Sequence, residues 1–316
     1  MSKINQLIIE KSKELLSNGT VDYVLGYKCE IFDYEPAPFL FDISNIDDFV
    51  YNAFCGPNLS KTLFLLAKNY KICVFLKPCD TYSFKQLLKE NKLNKNNIYV
   101  VGIECNGKLD IDKIKNRIND NILSIIEDYD NIYVTGINDK YTLKYDRTLF
   151  LQKCLYCKGN KHIIYDETLI VNQKKLISDD PFDEIKKIES LSPNDRFAFW
   201  QKELSKCLRC NACRNVCPAC TCNECVFDNR TSGINGKVNA NDFEEKLYHI
   251  IKSYHVAGRC TDCGECSRVC PVKIPLYLLN RKYIKEINDN FGNYEAGTDD
   301  SLFPLSEYKL TDKEVN

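Results

Sequence analysis

The sequence lacks the features that mark several common classes of protein. Its apolar runs, such as Ile72–Leu76, are far too short to span a membrane. The polar residues that follow Met1 do not form a secretory signal. The 43 basic and 44 acidic residues leave a net charge of −1, so no overall field attracts nucleic acid. We therefore expect a cytoplasmic protein with no membrane span and no nucleic-acid partner.

Motifs of the common phosphate-binding and hydrolytic sites are also missing. The 316 residues include only 13 glycines and 3 histidines, and they contain no G-x-G-x-x-G motif, P-loop or H-E-x-x-H motif. No Ser/His/Asp or Cys/His set stands out either. Because no bond-making site is visible, we predict no catalytic residues and favour a role in moving electrons.

Cysteine is the residue in excess, with 18 copies in 316 residues. A chain of this length buries enough apolar surface to fold without disulfide staples. We therefore expect the thiols to be reduced or bound to metal. Seven are spread through the first half of the chain, and eleven lie between Cys207 and Cys270.

The pattern of apolar residues divides the chain into two domains. Strand-like segments alternate with helical patterns in residues 1–175, which predicts an α/β domain with a mainly parallel sheet. Residues 176–194 are polar, contain two prolines and are predicted to be a linker. Residues 195–316 show helical patterns and predict a mostly helical, ferredoxin-type dicluster domain with a C-terminal tail. The strand-like segments are Tyr23–Tyr27, Lys71–Leu76, Ile98–Ile103 and Asn131–Val134.

Two cysteine runs in the second domain share the spacing C-x2-C-x2-C-x3-C-P. Such runs hold 4Fe-4S clusters, with the fourth cysteine of each run binding the cluster of the other run. The spacing therefore predicts two clusters with crossed ligands. Zinc is the alternative, although zinc sites typically combine two C-x2-C pairs. The predicted ligands are Cys207, Cys210, Cys213 and Cys270 for cluster I, and Cys260, Cys263, Cys266 and Cys217 for cluster II.

The sequence does not decide the roles of other residues near these runs. Cys220, Cys222 and Cys225 would bind a further metal, replace Cys217 as a ligand, or pack beside the clusters as small apolar side chains. His255 lies five residues before Cys260 and is a candidate for tuning cluster II. Four basic residues near the first run would dock an acidic ferredoxin or simply form a solvated helix face. They are Lys202, Lys206, Arg209 and Arg214.

A weaker set of cysteines lies in the first domain. Cys79 and Cys105 each follow a predicted strand, and neighbouring parallel strands would bring both to one sheet edge. Cys154 and Cys157 form a C-x2-C pair that would complete a four-thiolate site. The set therefore predicts either a third 4Fe-4S cluster or cysteines that only line a core.

The first domain resembles a known family in the stretches CGPNLSK, KPCDTYSF, GIECNG and KCLYCKGN. These are similar to the beta subunits of coenzyme F-420 (deazaflavin) hydrogenases and dehydrogenases, which include formate dehydrogenase beta subunits. The resemblance implies a domain with a 4Fe-4S cluster and often FAD. It makes Cys79, Cys105, Cys154 and Cys157 the candidate ligands, and it makes Cys55–Ser60 a candidate part of an FAD site.

The second domain resembles another group in the stretch KCLRCNACRNVCPACTC. It looks like the dicluster domain found in the A subunit of anaerobic sulfite reductase and in sulfhydrogenase beta subunits. Together the two resemblances imply an electron-relay subunit that works beside a catalytic partner. The implied partners are a flavoprotein, a hydrogenase, a formate dehydrogenase or a heterodisulfide-reductase-like subunit; ferredoxin is a further candidate.

We therefore predict an iron–sulfur electron-transfer subunit of a cytosolic anaerobic oxidoreductase complex. It would relay electrons between a flavoprotein and a terminal oxidoreductase through at least two 4Fe-4S clusters. One alternative is an FAD-containing subunit that oxidises or reduces a deazaflavin or nicotinamide cofactor. A second alternative is a zinc-stabilised interaction protein.

Overall fold

The computed structural model describes residues 2–66, 70–128, 130–229, 231 and 242–307. The chain divides into two compact units, Met1–Ser178 and Asp179–Asn316. None of the helices in the described ranges combines the length and apolar character that a membrane crossing requires.

The first unit contains both helices and strands. The helices are α1 (Lys3–Ser17), α2 (Leu59–Leu66), α3 (Pro78–Lys89), α4 (Ile111–Ile118) and α5 (Gln152–Leu155). The strands are β1 (Tyr23–Lys28), β2 (Ala37–Phe41), β3 (Ile72–Leu76), β4 (Ile98–Ile103), β5 (Ile122–Glu127), β6 (Asn131–Gly136), β7 (Lys140–Lys144) and β8 (Glu167–Leu169).

The larger sheet has the order β2-β1-β3-β4-β8. The pairs β1–β3, β3–β4 and β4–β8 are parallel, and β2 pairs antiparallel with β1 at the edge. All five side chains of β3 are buried, as in a parallel sheet covered on both faces. In the β3–β4 register Leu76 pairs with Gly102, so the two strands end level with each other. The segments that follow them therefore share the carboxyl edge of the sheet.

The smaller sheet consists of β5, β6 and β7, paired antiparallel in that order. The segment Asn131–Val134 belongs to β6, so it lies in this sheet and not in the parallel one. A tight turn explains the difference: the Gly136 N–H donates to Asp139 O at 2.8 Å and joins β6 directly to β7. Antiparallel neighbours need only such a turn, whereas parallel neighbours need a long crossover.

The chain after the smaller sheet returns to the carboxyl edge of the larger one. Leu109, just beyond β4, forms an antiparallel bridge with Phe150, and the Leu151 N–H donates to Lys108 O at 2.7 Å. Farther along, the His162 ring Nε2 lies 3.2 Å from Ile103 O, the last residue of β4. The segment between these anchors, which carries α5, is thereby held at the end of β4.

The second unit is helical, and no strand occurs among its described residues. Its helices are α6 (Asp183–Glu189), α7 (Pro193–Leu204), α8 (Ala212–Asn215), α9 (Asp242–Val256), α10 (Glu265–Arg268) and α11 (Leu276–Phe291). Helix α9 packs against α7 and α11, and the short helices α8 and α10 pack together. Helix α6 is held on α11, where the Tyr277 hydroxyl donates to Glu184 at 2.7 Å. The predicted fold class, an α/β domain followed by a helical one, is confirmed.

Candidate metal centres

The backbone follows the same path through both cysteine runs. The residues on either side of the second cysteine have left-handed backbone conformations, with φ of 52° and 61° at Arg209 and Asn211 and of 51° and 69° at Asp262 and Gly264. A short helix then carries the third cysteine, α8 in the first run and α10 in the second. Asn, Asp and Gly adopt such φ values readily, so three of the four positions suit this curled loop.

One cavity in the second unit is lined by cysteines from both runs. Ile274 and Leu276 form part of its apolar wall. The predicted ligands of cluster I all line it: Cys207, Cys210, Cys213 and Cys270. The fold thus brings the last cysteine of the second run to the first three of the first run, which is the crossed arrangement.

Backbone donors point at sulfur atoms of this set. The Arg209 N–H donates to Cys207 Sγ at 3.3 Å, and the Ile274 N–H donates to Cys270 Sγ at 3.4 Å. The Tyr248 hydroxyl lies 4.0 Å from Cys213 Sγ. Hydrogen bonds to sulfur stabilise the negative charge of cluster-bound thiolates. The cavity, its four thiols and these donors therefore fit a 4Fe-4S cluster.

Cys217 lies close to the cysteines of the second run. Burial raises the pKa values of Cys260, Cys263 and Cys266, the last to about 12, and negative charge at Cys217 raises all three further. The bare thiols are thus protonated near neutral pH, and iron binding would displace their protons. The Asn280 amide donates to Cys266 Sγ at 3.6 Å. The fold therefore brings together the predicted ligands of cluster II.

Among the described residues, no group of three or more His, Cys, Asp or Glu side chains is placed to hold a single metal ion. A 4Fe-4S cluster asks for a different arrangement, because it takes four cysteine thiolates around a multi-iron core.

An ion pair clamps the loop of the second run. Arg281, on α11, is buried, and its Nε lies 3.0 and 2.8 Å from the two carboxylate oxygens of Asp262. Asp262 stands directly before Cys263 and has the strained φ of 51°. The Arg281 clamp therefore fixes the curled loop from outside the cysteine run.

A buried cation lies among cysteines of both sets. Lys252, on α9, is 6% exposed. Burial lowers its pKa, but the negative charges of Cys217 and Cys266, with smaller effects from Cys220 and Cys213, outweigh burial and leave it raised. Lys252 therefore stays charged, and it can offset part of the negative charge of the thiolates.

The three cysteines after the first run have different surroundings. A hydrogen bond from Cys220 lowers the pKa of Cys217 to about 5, so these two sulfur atoms are neighbours. Cys222 is exposed, and Cys225 packs against the apolar core of the unit. This placement separates Cys220, which adjoins a predicted ligand, from the other two.

In the first unit, three cysteines lie near Cys105. Burial raises the pKa values of Cys79, Cys154 (to about 11) and Cys157, and a further upward effect on each comes from negative charge at Cys105. The Gly159 N–H donates to Cys157 Sγ at 3.4 Å. The four cysteines of the weaker set are therefore neighbours at the carboxyl edge of the larger sheet.

The loop of Cys55–Asn58 lies beside this group. Its carbonyls accept hydrogen bonds from two lysines: Lys153 Nζ lies 2.6 Å from Gly56 O, and Lys77 Nζ lies 2.9 Å from Pro57 O. Cys55 itself is fully buried, and burial raises its pKa to about 12, as expected for a core thiol. The backbone carbonyls of this loop therefore contact lysines at the carboxyl edge of the larger sheet.

The histidine that lines the cluster I cavity is His249, whereas the sequence had suggested His255, as a candidate beside cluster II. His255 is exposed, whereas His249, two turns earlier on α9, is 2% exposed and lines the cluster I cavity. Sequence reasoning missed His249 because its spacing to the cysteines carries no motif. Only a helical-face analysis that placed it beside Tyr248 and Lys252 would have singled it out.

The basic residues near the first run have local contacts. Lys206 pairs with Glu203 at 2.7 Å, and Arg214 pairs with Asp228 at 2.9 Å. The Arg209 guanidinium is buried and lies 4.3 Å from the centre of the Tyr248 ring. Docking of an acidic ferredoxin at these side chains would compete with the contacts they already make.

Parts of the chain match a known family and a solved structure. Residues 203–274 match the family described as 4Fe-4S dicluster domain, a range that contains both cysteine runs. A solved chain titled "Xenon derivatization of the F420-reducing [NiFe] hydrogenase complex from Methanosarcina barkeri" is 12% identical, with a TM-score of 0.37. That match covers 48% of this chain and 58% of the solved one.

Two curated relatives align with nearly the whole chain. "F420-dependent formate dehydrogenase subunit beta" of Methanocaldococcus jannaschii is 28% identical over 93% of this chain and 92% of its own length. "F420-dependent formate dehydrogenase 1 subunit beta" of Methanococcus maripaludis is 23% identical over 92% of this chain and 90% of its own length. The chain therefore contains a 4Fe-4S dicluster domain, and almost from end to end it is similar to the beta subunits of these formate dehydrogenases.

Proposed function

We propose that this chain is the iron–sulfur electron-transfer subunit of an oxidoreductase complex. The observation that carries the proposal is the cavity that Cys270 shares with Cys207, Cys210 and Cys213. The match of residues 203–274 to a 4Fe-4S dicluster domain supports it independently. The similarity to two proteins named as beta subunits of formate dehydrogenases also supports it.

The residues of the second unit would hold two clusters and shape their surroundings. When bound, each cluster accepts and passes on one electron at a time. Cys207, Cys210, Cys213 and Cys270 bind the first, and Cys260, Cys263, Cys266 and Cys217 bind the second. Apolar side chains line part of the cavity, and the N–H groups directed at sulfur would stabilise the charge of the thiolates.

The first unit would hold a third cluster at Cys79, Cys105, Cys154 and Cys157. The support is their shared position at the carboxyl edge of the larger sheet. A third cluster would give the first unit a redox centre of its own.

Iron and acid-labile sulfide per chain, measured after anaerobic purification and reconstitution, test the number of clusters. We expect about twelve irons for three clusters and about eight for the second unit alone. A colourless chain with stoichiometric zinc would overturn the proposed function.

Single substitutions assign the clusters to cysteines. Cys210→Ser should remove about four irons, and Cys222→Ser is its matched control because both thiols are exposed. Cys105→Ser should likewise remove the third cluster, whereas Cys29→Ser should not. Unchanged iron in Cys210→Ser would refute the assignment of cluster I.

The alternative is a flavin-containing protein that acts on a deazaflavin or nicotinamide cofactor. It is favoured by the names of the relatives and by the position of the Cys55–Asn58 loop beside the cysteines of the first unit. Flavin released from the purified chain by heat, with reduction of an acceptor dye by the coenzyme, would support it. A chain that binds no FAD upon reconstitution would exclude it.

The partners we propose are a flavoprotein on one side and a terminal oxidoreductase on the other. Formate dehydrogenase is the first candidate because both curated relatives carry that name. A hydrogenase, ferredoxin and a heterodisulfide-reductase-like subunit remain predictions from the sequence, as does a cytoplasmic location. Affinity purification of the complex from anaerobic cells would identify the proteins that accompany the chain.

A further inference from the structure

His249 is a buried polar side chain without a partner in the part of the chain that the structure describes. It is 2% exposed, and both ring nitrogens are buried without a hydrogen bond. Its ring packs against that of Tyr248, edge to face, with 5.0 Å between the ring centres. Both side chains line the cavity that also contains Cys207, Cys210, Cys213 and Cys270.

An imidazole in this position needs a hydrogen-bond partner. A buried donor without a partner loses the hydrogen bonds it would make to water, which destabilises the fold. Burial, aided by the positive charges of Lys252 and Arg209, lowers the pKa of His249 to about 3. The ring is therefore neutral and carries one N–H.

The cavity is the place where that partner would sit. The donors already directed at this site, the N–H groups of Arg209 and Ile274, reach the sulfur atoms of Cys207 and Cys270. These donors are directed at cysteine sulfur, and the inorganic sulfide atoms of a bound cluster would be further acceptors. A donor that faces a cluster stabilises the reduced, more negative state over the oxidised one.

We propose that the His249 N–H donates a hydrogen bond to a sulfur atom of the 4Fe-4S cluster in this cavity and thereby raises the reduction potential of that cluster. The inference rests on the proposed function, because it requires cluster I to be present. His249 is a tuning residue and not an iron ligand, since four cysteines already line the cavity.

The test uses the full chain, reconstituted anaerobically, in redox titrations followed by EPR. The signal that disappears in Cys210→Ser identifies cluster I. His249→Phe should keep all its iron. The equilibrium constant for one-electron reduction of cluster I should fall about tenfold, which lowers its reduction potential by about 59 mV. His249→Gln, which keeps an N–H donor, should restore much of the shift.

The matched control is His255→Phe, because His255 lies on the same helix but is exposed. It should leave both potentials unchanged. Pulsed EPR of the reduced chain labelled with nitrogen-15 histidine adds a second measurement: a nitrogen-15 coupling to cluster I that is present in the wild type and absent in His249→Phe.

The outcomes separate the two proposals. A wild-type chain that binds no iron would refute the proposed function itself. Full iron with an unchanged potential in His249→Phe would overturn the inference alone. Loss of about four irons in both His249 variants would make His249 a ligand and would also overturn it. If His249→Phe does not fold, absence of the nitrogen-15 histidine coupling in the labelled wild type would overturn it.

Discussion

The buried ion pair of Lys77 and Asp80 fixes the position of Cys79, and its removal should be costly. Both side chains are 1% exposed, and Lys77 Nζ lies 2.7 Å from Asp80 Oδ2. Burial lowers the pKa of Lys77, but the charge of Asp80 and its hydrogen bond, together with negative charge at Cys79 and Cys105, outweigh burial and leave the pKa raised. Lys77 is thus a buried cation that depends on its carboxylate. Cys79 lies between the two residues, in the first turn of α3.

Asp80→Ala should destabilise the first unit by about 3–5 kcal/mol, because it leaves a buried charge without its counter-ion. The remaining partners of Lys77 Nζ, the Tyr27 hydroxyl at 2.5 Å and Pro57 O at 2.9 Å, are both uncharged. For a domain of 150–250 residues, each kcal/mol lowers the Tm by about 2–4 °C, so the expected decrease is roughly 6–20 °C. The double variant Lys77→Met/Asp80→Leu should recover much of this loss, because it removes both charges.

Urea denaturation of the iron-free chain, followed by circular dichroism, measures these changes. Asp47→Ala is the matched control, because Lys13 and Asp47 also lie 2.7 Å apart but are 45% and 76% exposed. An exposed pair of this kind contributes less than about 1 kcal/mol. The reasoning fails if Asp80→Ala costs no more than this control, or if the double variant is as unstable as Asp80→Ala.

Three further predictions concern other contacts. Arg281→Met removes the clamp on the second loop and should weaken iron retention there by roughly 10–100-fold, measured by the rate of bleaching with a chelator. Gly26→Ala places a Cβ 1.9 Å from the Phe49 ring. Urea denaturation should therefore show a free energy of unfolding lower by about 1–3 kcal/mol, and the additional substitution Phe49→Leu should partly restore it. The Tyr133 hydroxyl, with backbone N–H groups, lowers the pKa of Asp128 to about 2 in the folded chain. Asp128 therefore stabilises the fold above its unfolded pKa of about 3.9, and the advantage of the wild type over Asp128→Asn should disappear as the pH falls from 4 to 2.

The sequence predicted the fold class correctly where the local pattern of apolar residues decides the structure. The run Ile72–Leu76 is apolar throughout, which suits a strand buried on both faces, and it forms β3 over the same residues. Asn131–Val134 was correctly expected to be a strand, but its sheet was not predictable. A strand's own periodicity does not specify its neighbours, and the turn at Gly136 places it in the antiparallel sheet.

The candidate sites were likewise predictable where they depend on local sequence and not where they depend on tertiary contacts. The spacing of the two runs predicted the cysteine sets by itself, because a curled loop with a cysteine at every third position is a local feature. Cys79 and Cys105 were placed at one edge by the simple rule that neighbouring parallel strands end together. Cys154 and Cys157 needed more, because they arrive there only through the pairing of Leu109 with Phe150.

The sequence by itself therefore determined the two ferredoxin-type runs, the order of an α/β and a helical domain, and the resemblance to hydrogenase and dehydrogenase beta subunits. Tertiary structure alone decided which buried side chains face the clusters. His249 lines the cavity of the predicted cluster I ligands, Lys252 lies among cysteines of both runs, and Arg281 pairs with Asp262 in the second loop, all of them distant in the chain from some of these cysteines. Their roles depend on how α9 and α11 pack beside the loops, and that packing follows from the whole apolar core rather than from any motif.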